Sequence, residues 1–208
     1  MVINWYGEGC FKFQNGDVSL LTDLPDQDSG ISIPRIGTNI MLKTITAWPI
    51  EFGEETKADK TIFGAGEYDA KDVKIKGFQL KEESAEKYFK TIYVINWEDI
   101  RIGFLGHISG DVPTSAMEDF EELDVLIGPV GGVPFMDIEK INRLVKVLNP
   151  KIFIPSFYKI PGLKRKSGEL KDFLDKFGGE VEKDLDKFVF KKKDVQDLKK
   201  TKIVCFKI

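Results

Sequence analysis

The chain predicts an α/β protein: two β-sheets packed face to face with helices outside, in one domain over residues 1–208. Three observations carry that expectation. Short strand-like runs recur through residues 2–105, with period-two alternation over residues 2–13 and 73–80. A strand–loop–helix–strand unit follows them. The length of 208 residues suffices for one substantial core and falls short of a clear two-domain chain.

The elements follow in order. Ile3, Trp5, Phe11 and Phe13 alternate through residues 2–13, with Gly7 and Gly9 marking a bend or a close backbone approach. Asn15-Gly16 is a hairpin turn, and Val18 to Leu21 resumes the strand until Pro25 stops the ladder. Asp26 to Gly37 is a polar loop. Asn39 to Ile45 is a short apolar strand broken by Trp48-Pro49, and Phe52 to Lys60 reads as exposed. Thr61 to Phe63 is a strand, Gly64 to Tyr68 a turn, and Val73 to Leu80 a half-buried strand. Thr91 to Trp97 and Ile100 to Leu105 pair across Glu98-Asp99. Ala116 to Glu122 has room for one or two helical turns.

The organising unit runs from Leu123 to Tyr158. An apolar strand, Leu123 to Ile127, leads through Gly128-Pro129-Val130-Gly131-Gly132 into a helix at Asp137 to Leu148, then a strand at Lys151 to Pro155. Such a unit makes a parallel crossover. Ile138, Ile141, Leu144, Val145 and Leu148 share one helix face. Ser167 is the expected cap of a later helix with Leu170, Phe173, Leu174 and Phe177 inward and Gly178 as its stop. Phe188 to Phe190 and Ile203 to Phe206 are the expected last strands.

Composition narrows the function classes. Hydrophobic content of 42% with 31% charged residues is that of a globular chain. No apolar run approaches a membrane span, and the first residues lack a basic-then-apolar leader, so the expectation is a cytoplasmic protein. Cys10 and Cys205 read as buried free thiols. From Lys151 onward 16 Lys and Arg face 9 Asp and Glu, but they interleave, which favours a solvated face over a nucleic-acid patch. There is one histidine, His107, so a site built on several imidazoles is excluded, and a Ser-His-Asp arrangement could run only through it.

Four stretches, Ile3–Phe11, Gly64–Asp69, Ile102–His107 with Leu123–Gly132, and Asn149–Tyr158, resemble in order and spacing the metallo-β-lactamase fold hydrolases. The likeness is to the branch of L-ascorbate-6-phosphate lactonase and related predicted zinc-dependent hydrolases. The resemblance implies a four-layer αββα sandwich with a metal site at one sheet edge. It also implies where ligands would stand, and they do not stand there. The His-x-His-x-Asp-His motif falls on Ile45 to Ile50. Other ligand histidines fall on Glu8, Phe104 and Phe157, and the bridging aspartate on His107. Apolar residues at those places suggest that the former cavity is filled by packing, with Trp5, Tyr6, Trp48, Phe157 and Tyr158 as the plug or as the lining of an apolar pocket.

The expectation is therefore a member of that fold with no cofactor and a binding or assembly role. Its partner would be a protein, a small molecule or a second copy of the chain. The alternative is a metal-dependent hydrolase, lactonase- or phosphodiesterase-like. In it Asp23, Glu67, Asp111 and His107 would hold zinc, manganese or magnesium. Gly131 and Gly132 are a weaker candidate for cradling a phosphate ahead of the helix, set against a tight structural turn.

Overall fold

The computed structural model describes residues 1–32, 36–50 and 57–207. The first strands form a meander: β1 (Val2–Trp5), β2 (Phe11–Asn15) and β3 (Val18–Thr22) pair antiparallel, the last two across the Asn15-Gly16 turn. β4 (Thr38–Lys43) then adds in parallel to β3. β5 (Ile45–Ala47) follows after one residue, Thr44. β6 (Ala58–Phe63) returns to lie parallel beside β4.

A second sheet begins with β7 (Gly66–Ala70), β8 (Val73–Gln79), β9 (Tyr88–Trp97) and β10 (Ile100–Phe104), all antiparallel. A short helix α1 (Thr114–Met117) leads to β11 (Val125–Pro129). The crossover helix α2 (Ile138–Leu148) and β12 (Ile152–Ser156) complete the predicted unit, with β10, β11 and β12 in parallel register. The chain ends with α3 (Leu170–Phe177), β13 (Val181–Leu185), β14 (Phe188–Val189), α4 (Lys192–Gln196) and β15 (Lys202–Phe206). The sheets run β14-β1-β2-β3-β4-β6 and β13-β15-β12-β11-β10-β9-β8-β7, with β5 paired to β9.

The apolar face of each sheet is spent on the other. Phe11 of the first sheet meets Phe104 and Phe206 of the second at 6.1 and 6.4 Å between ring centres. Behind the second sheet, Ile141 and Val145 of α2 are fully buried, and Phe173 of α3 packs on Phe153 of β12 with ring centres 5.3 Å apart. Asp137 caps α2 by accepting from the Glu139 N–H, and Asn149 ends it in the left-handed region. Among the described residues no helix is long and apolar enough to cross a membrane.

Several expectations need correction. Gly64 to Tyr68 is not simply a turn: from Gly66 the chain is strand β7, because its ladder with β8 takes up the backbone groups. Ser167 does not cap α3. The cap position is Glu169, and the Ser167 hydroxyl donates instead to the Phe157 carbonyl at 2.8 Å. β13 and α4 were not expected, since mixed Lys, Asp and Glu hide their pattern. The stretch expected to be exposed at Phe52 to Lys60 lies mostly outside the described residues, while its last part begins β6. Cys10 and Cys205 are free and buried, as expected.

Candidate functional site

A cleft of about 1100 Å³ opens where β3, β4 and β5 meet the loops that follow β10, β11 and β12. Its lining includes Glu8, Asp23, Lys90, His107, Phe157 and Arg165. These strand ends bring sequence-distant residues together because parallel β10, β11 and β12 all deliver their following loops to one edge.

Asp23 follows β3. Its backbone N–H donates to the Leu42 carbonyl, which continues the pairing with β4 by one residue. Its carboxylate accepts two hydrogen bonds from Thr44, one from the backbone N–H at 2.7 Å and one from the hydroxyl at 2.5 Å. Thr44 is the residue at which the chain passes from the first sheet to the second, and its carbonyl accepts from the Thr91 N–H of β9. The same Thr44 hydroxyl lies 2.7 Å from His107 Nδ1, and that nitrogen is 3.6 Å from Asp23 Oδ2. Gly106 makes the approach possible: its φ is +50°, and a Cβ there would strike the Thr44 side chain.

Burial pushes the Asp23 carboxyl up to about 7, against the opposing pull of the Thr44 hydrogen bonds and Lys43. Burial drives the His107 imidazole down to about 3, and the charges of Lys90 and Arg165 add to it. The Asp23–His107 contact is thus one between a carboxyl group and a neutral ring near pH 7.

Phe157 stands over the imidazole, with ring centres 4.8 Å apart and the planes at 62°, and Phe135 packs on Phe157 at 4.3 Å. Phe157 itself has φ of 55°, held there by Ser167 and Arg165 donating to its carbonyl. Gly9 faces it; a Cβ at that position would come within 2.7 Å of the Phe157 ring. Arg165 pairs with Glu8 and lies 4.7 Å from the centre of the Phe135 ring. Lys90 is paired with Glu83 at 3.1 Å. Burial works against the Glu83 carboxylate, yet hydrogen bonds from Ser109, Gly110 and Lys90 outweigh it and hold it below the usual range.

Of the candidate residues, Asp23 and His107 come together and the others do not join them. Glu67 is exposed on β7, where its nearest cation is Lys76 at 3.9 Å. Asp111 is exposed and paired with Lys140 at 3.1 Å. Gly131 and Gly132 lie in the loop between β11 and α2. The Gly131 carbonyl accepts from Gly168 and the Gly132 carbonyl from Phe135, and the carboxylate of Asp137 takes the N-terminus of α2. Among the described residues no group of three or more His, Cys, Asp or Glu side chains converges.

The expected apolar plug is not what occupies this edge. Ile45 is partly exposed and Trp48 is 61% exposed, because β5 is a short strand at the cleft wall and only Thr46 turns inward. Trp5 and Tyr158 pack against each other in the core, and Tyr6 packs against Cys10, Leu21 and Met41. Only Phe157 of that aromatic set lines the cleft, which is open. Sequence reasoning missed Thr44, Phe135 and Arg165. Thr44 had one available signal, a hydroxyl residue just ahead of the register in which the ligand motif would begin.

The family profile described as "Beta-lactamase superfamily domain" matches residues 2–156, and the chain belongs to that family. Solved structures agree in fold. A protein of the metallo-beta-lactamase superfamily from Thermotoga maritima superposes with a TM-score of 0.79 at 23% identity, covering 99% of each chain. The metallo hydrolase Igni18 from Ignicoccus hospitalis gives 0.58 at 17% identity over 85% of this chain and 89% of its own. The metallo-beta-lactamase fold protein YhfI from Bacillus subtilis gives 0.58 at 10% identity over 99% and 96%. At these identities the likeness is one of fold. A search of curated proteins finds no match.

Proposed function

We propose that this chain is a metal-free member of its family whose cleft binds a small molecule instead of activating water on a cation. One observation carries the reading. Both oxygens of Asp23 and the Nδ1 of His107 are turned onto Thr44, so of this pair only His107 Nε2 stays without a partner among the described residues, one donor where a cation needs several. A zinc centre needs three or four nitrogen, sulfur or oxygen donors converging on one point. Here two approach each other, the Phe157 ring covers the imidazole, and the Glu8 carboxylate is held by Arg165. The residues present do not fit the metal group that the fold family implies. The reading extends to a protein without a nucleic-acid partner, since lysines near the C-terminus are interleaved with acids, and to the cytoplasm, where the two free buried cysteines would stay reduced.

Metal analysis of protein purified without chelator or histidine tag tests it. The expected zinc content is far below one per chain, with a melting temperature that added zinc shifts by less than about 1 °C. Stoichiometric zinc would overturn it.

The 3.6 Å approach of Asp23 to His107, in a fold shared with metallo hydrolases, favours a second reading. In it the chain is a lactonase- or phosphodiesterase-like hydrolase that gathers a metal on these two groups. It requires metal-stimulated turnover of a generic ester that His107→Ala abolishes.

A further inference from the structure

A hydroxyl carries one proton. Thr44 Oγ1 lies 2.5 Å from Asp23 Oδ2 and 2.7 Å from His107 Nδ1, so it can donate to one and must accept from the other. Two arrangements satisfy every contact. In the first, Asp23 is a carboxylate, Thr44 donates to it, and His107 Nδ1–H donates to Thr44. Nε2 then carries a free lone pair. In the second, Asp23 holds a proton and donates to Thr44, and Thr44 donates to Nδ1. Nε2 then carries the hydrogen. No hydrogen bond among the described residues engages Nε2, and the imidazole lines the cleft with about a fifth of its side-chain surface exposed (21%).

We propose that Asp23, Thr44 and His107 form a metal-independent proton relay. It presents His107 Nε2 to the cleft as a reversible proton donor and acceptor for a small ligand bearing a hydroxyl, amide or carboxyl group. The relay rests on the metal-free reading above. When a ligand gives up a proton, an N–H bond forms at Nε2 and the Nδ1–H bond breaks toward Thr44. The Thr44 proton passes to Asp23, where an O–H bond forms. The ligand becomes one charge more negative, Asp23 becomes neutral, and the imidazole is uncharged before and after. Return runs the same bonds backward.

The surroundings suit a cluster that stores its proton on oxygen. Burial disfavours both the charged carboxylate and the charged imidazole. Lys43, Cys10 and Tyr93 lie within electrostatic reach of Asp23. Lys90 and Arg165 do so for His107, and each carries its own acid, Glu83 and Glu8. Among the described residues Asp23 is the one carboxyl group within ion-pair distance of the imidazole. Gly106 keeps the relay short, because any side chain there would push Thr44 away.

The chain has one histidine, so labelled imidazole nitrogen gives a single pair of signals. The test follows both ring nitrogens by NMR from pH 5 to 9 in the unaltered protein, Thr44→Ser and Thr44→Val. The expected result is a neutral ring throughout, protonated on Nδ1 at high pH and on Nε2 at low pH. Thr44→Ser should keep that exchange. Thr44→Val, which keeps the shape and loses the hydroxyl, should hold one tautomer across the range. An imidazolium anywhere in the range, a single tautomer in the unaltered protein, or a Thr44→Val protein that exchanges as before would each overturn the relay. The first two of these outcomes are read on the unaltered protein alone, so the relay stays testable even if the valine variant does not fold. Ring signals that move on adding a chelator would overturn the metal-free reading, and the relay with it.

Discussion

Asp23 and Asp124 are both buried carboxyl groups, and the fold treats them in opposite ways. Asp124 stands ahead of β11, at the end of the parallel strands away from the cleft. Lys192 of α4 reaches it at 2.8 and 2.7 Å, and the Arg101 backbone N–H donates to it at 2.9 Å. Its charge is matched by a charge, and the pair ties the C-terminal helix to the second sheet. Asp23 stands at the cleft and receives only neutral donors, both from Thr44, with a neutral ring beyond. A carboxylate buried against an ammonium has its charge compensated where it stands. One buried against a hydroxyl keeps two protonation states close in free energy, which suits a site rather than a strut.

The contrast can be broken at its strong end first. Asp124→Ala removes one partner of a buried pair and should cost about 3 kcal/mol, near the low end for such deletions because Lys192 is partly exposed and can turn to water. Urea unfolding at pH 7 measures it. A loss under about 1 kcal/mol would mean the pair holds nothing, and the two aspartates would not differ.

The second expectation concerns pH. Native Asp23, raised from 3.8 to about 7, binds more protons than the unfolded chain in that window, so its contribution to stability falls as pH rises. Native His107, lowered from 6.5 to about 3, binds fewer, so its contribution falls as pH drops below 6.5. The two oppose each other between about 4 and 6.5 and should nearly cancel. Asp23→Asn removes one side of that balance. Relative to the unaltered protein, the variant should then lose stability on acidification from pH 6.5, on the order of 1 kcal/mol per pH unit. Parallel pH profiles for the two proteins would show that no such coupling exists.

The smallest effect is expected for Asp23→Asn at pH 7. The amide oxygen can still accept from Thr44, so the change in stability should stay within about 1 kcal/mol. A cost equal to that of Asp124→Ala would make Asp23 a structural anchor after all.

Local pattern made much of the architecture legible. The β11–α2–β12 unit was readable because its strands are unbroken apolar runs and its helix repeats apolar residues at helical spacing. The β2–β3 hairpin was readable from Asn15-Gly16. β13 was not, because an edge strand with half-buried and exposed positions only carries Glu182, Lys183 and Asp184 between its two apolar ends. The missing imidazoles were a matter of counting, and the pairing of Asp23 with His107 was accessible only through resemblance.

What the sequence determined by itself is the set of side chains: one histidine, apolar residues across the expected ligand register, and alternating runs that must form two sheets to bury their faces. What only the tertiary structure decided is that Thr44 joins Asp23 to His107, that Glu67 and Asp111 stay with lysines elsewhere, and that the cleft is open. The physical reason is that hydrophobic periodicity is local, written every two or four residues. A hydrogen bond between residues 23, 44 and 107 depends on how two sheets cross, and no short stretch of chain encodes that angle.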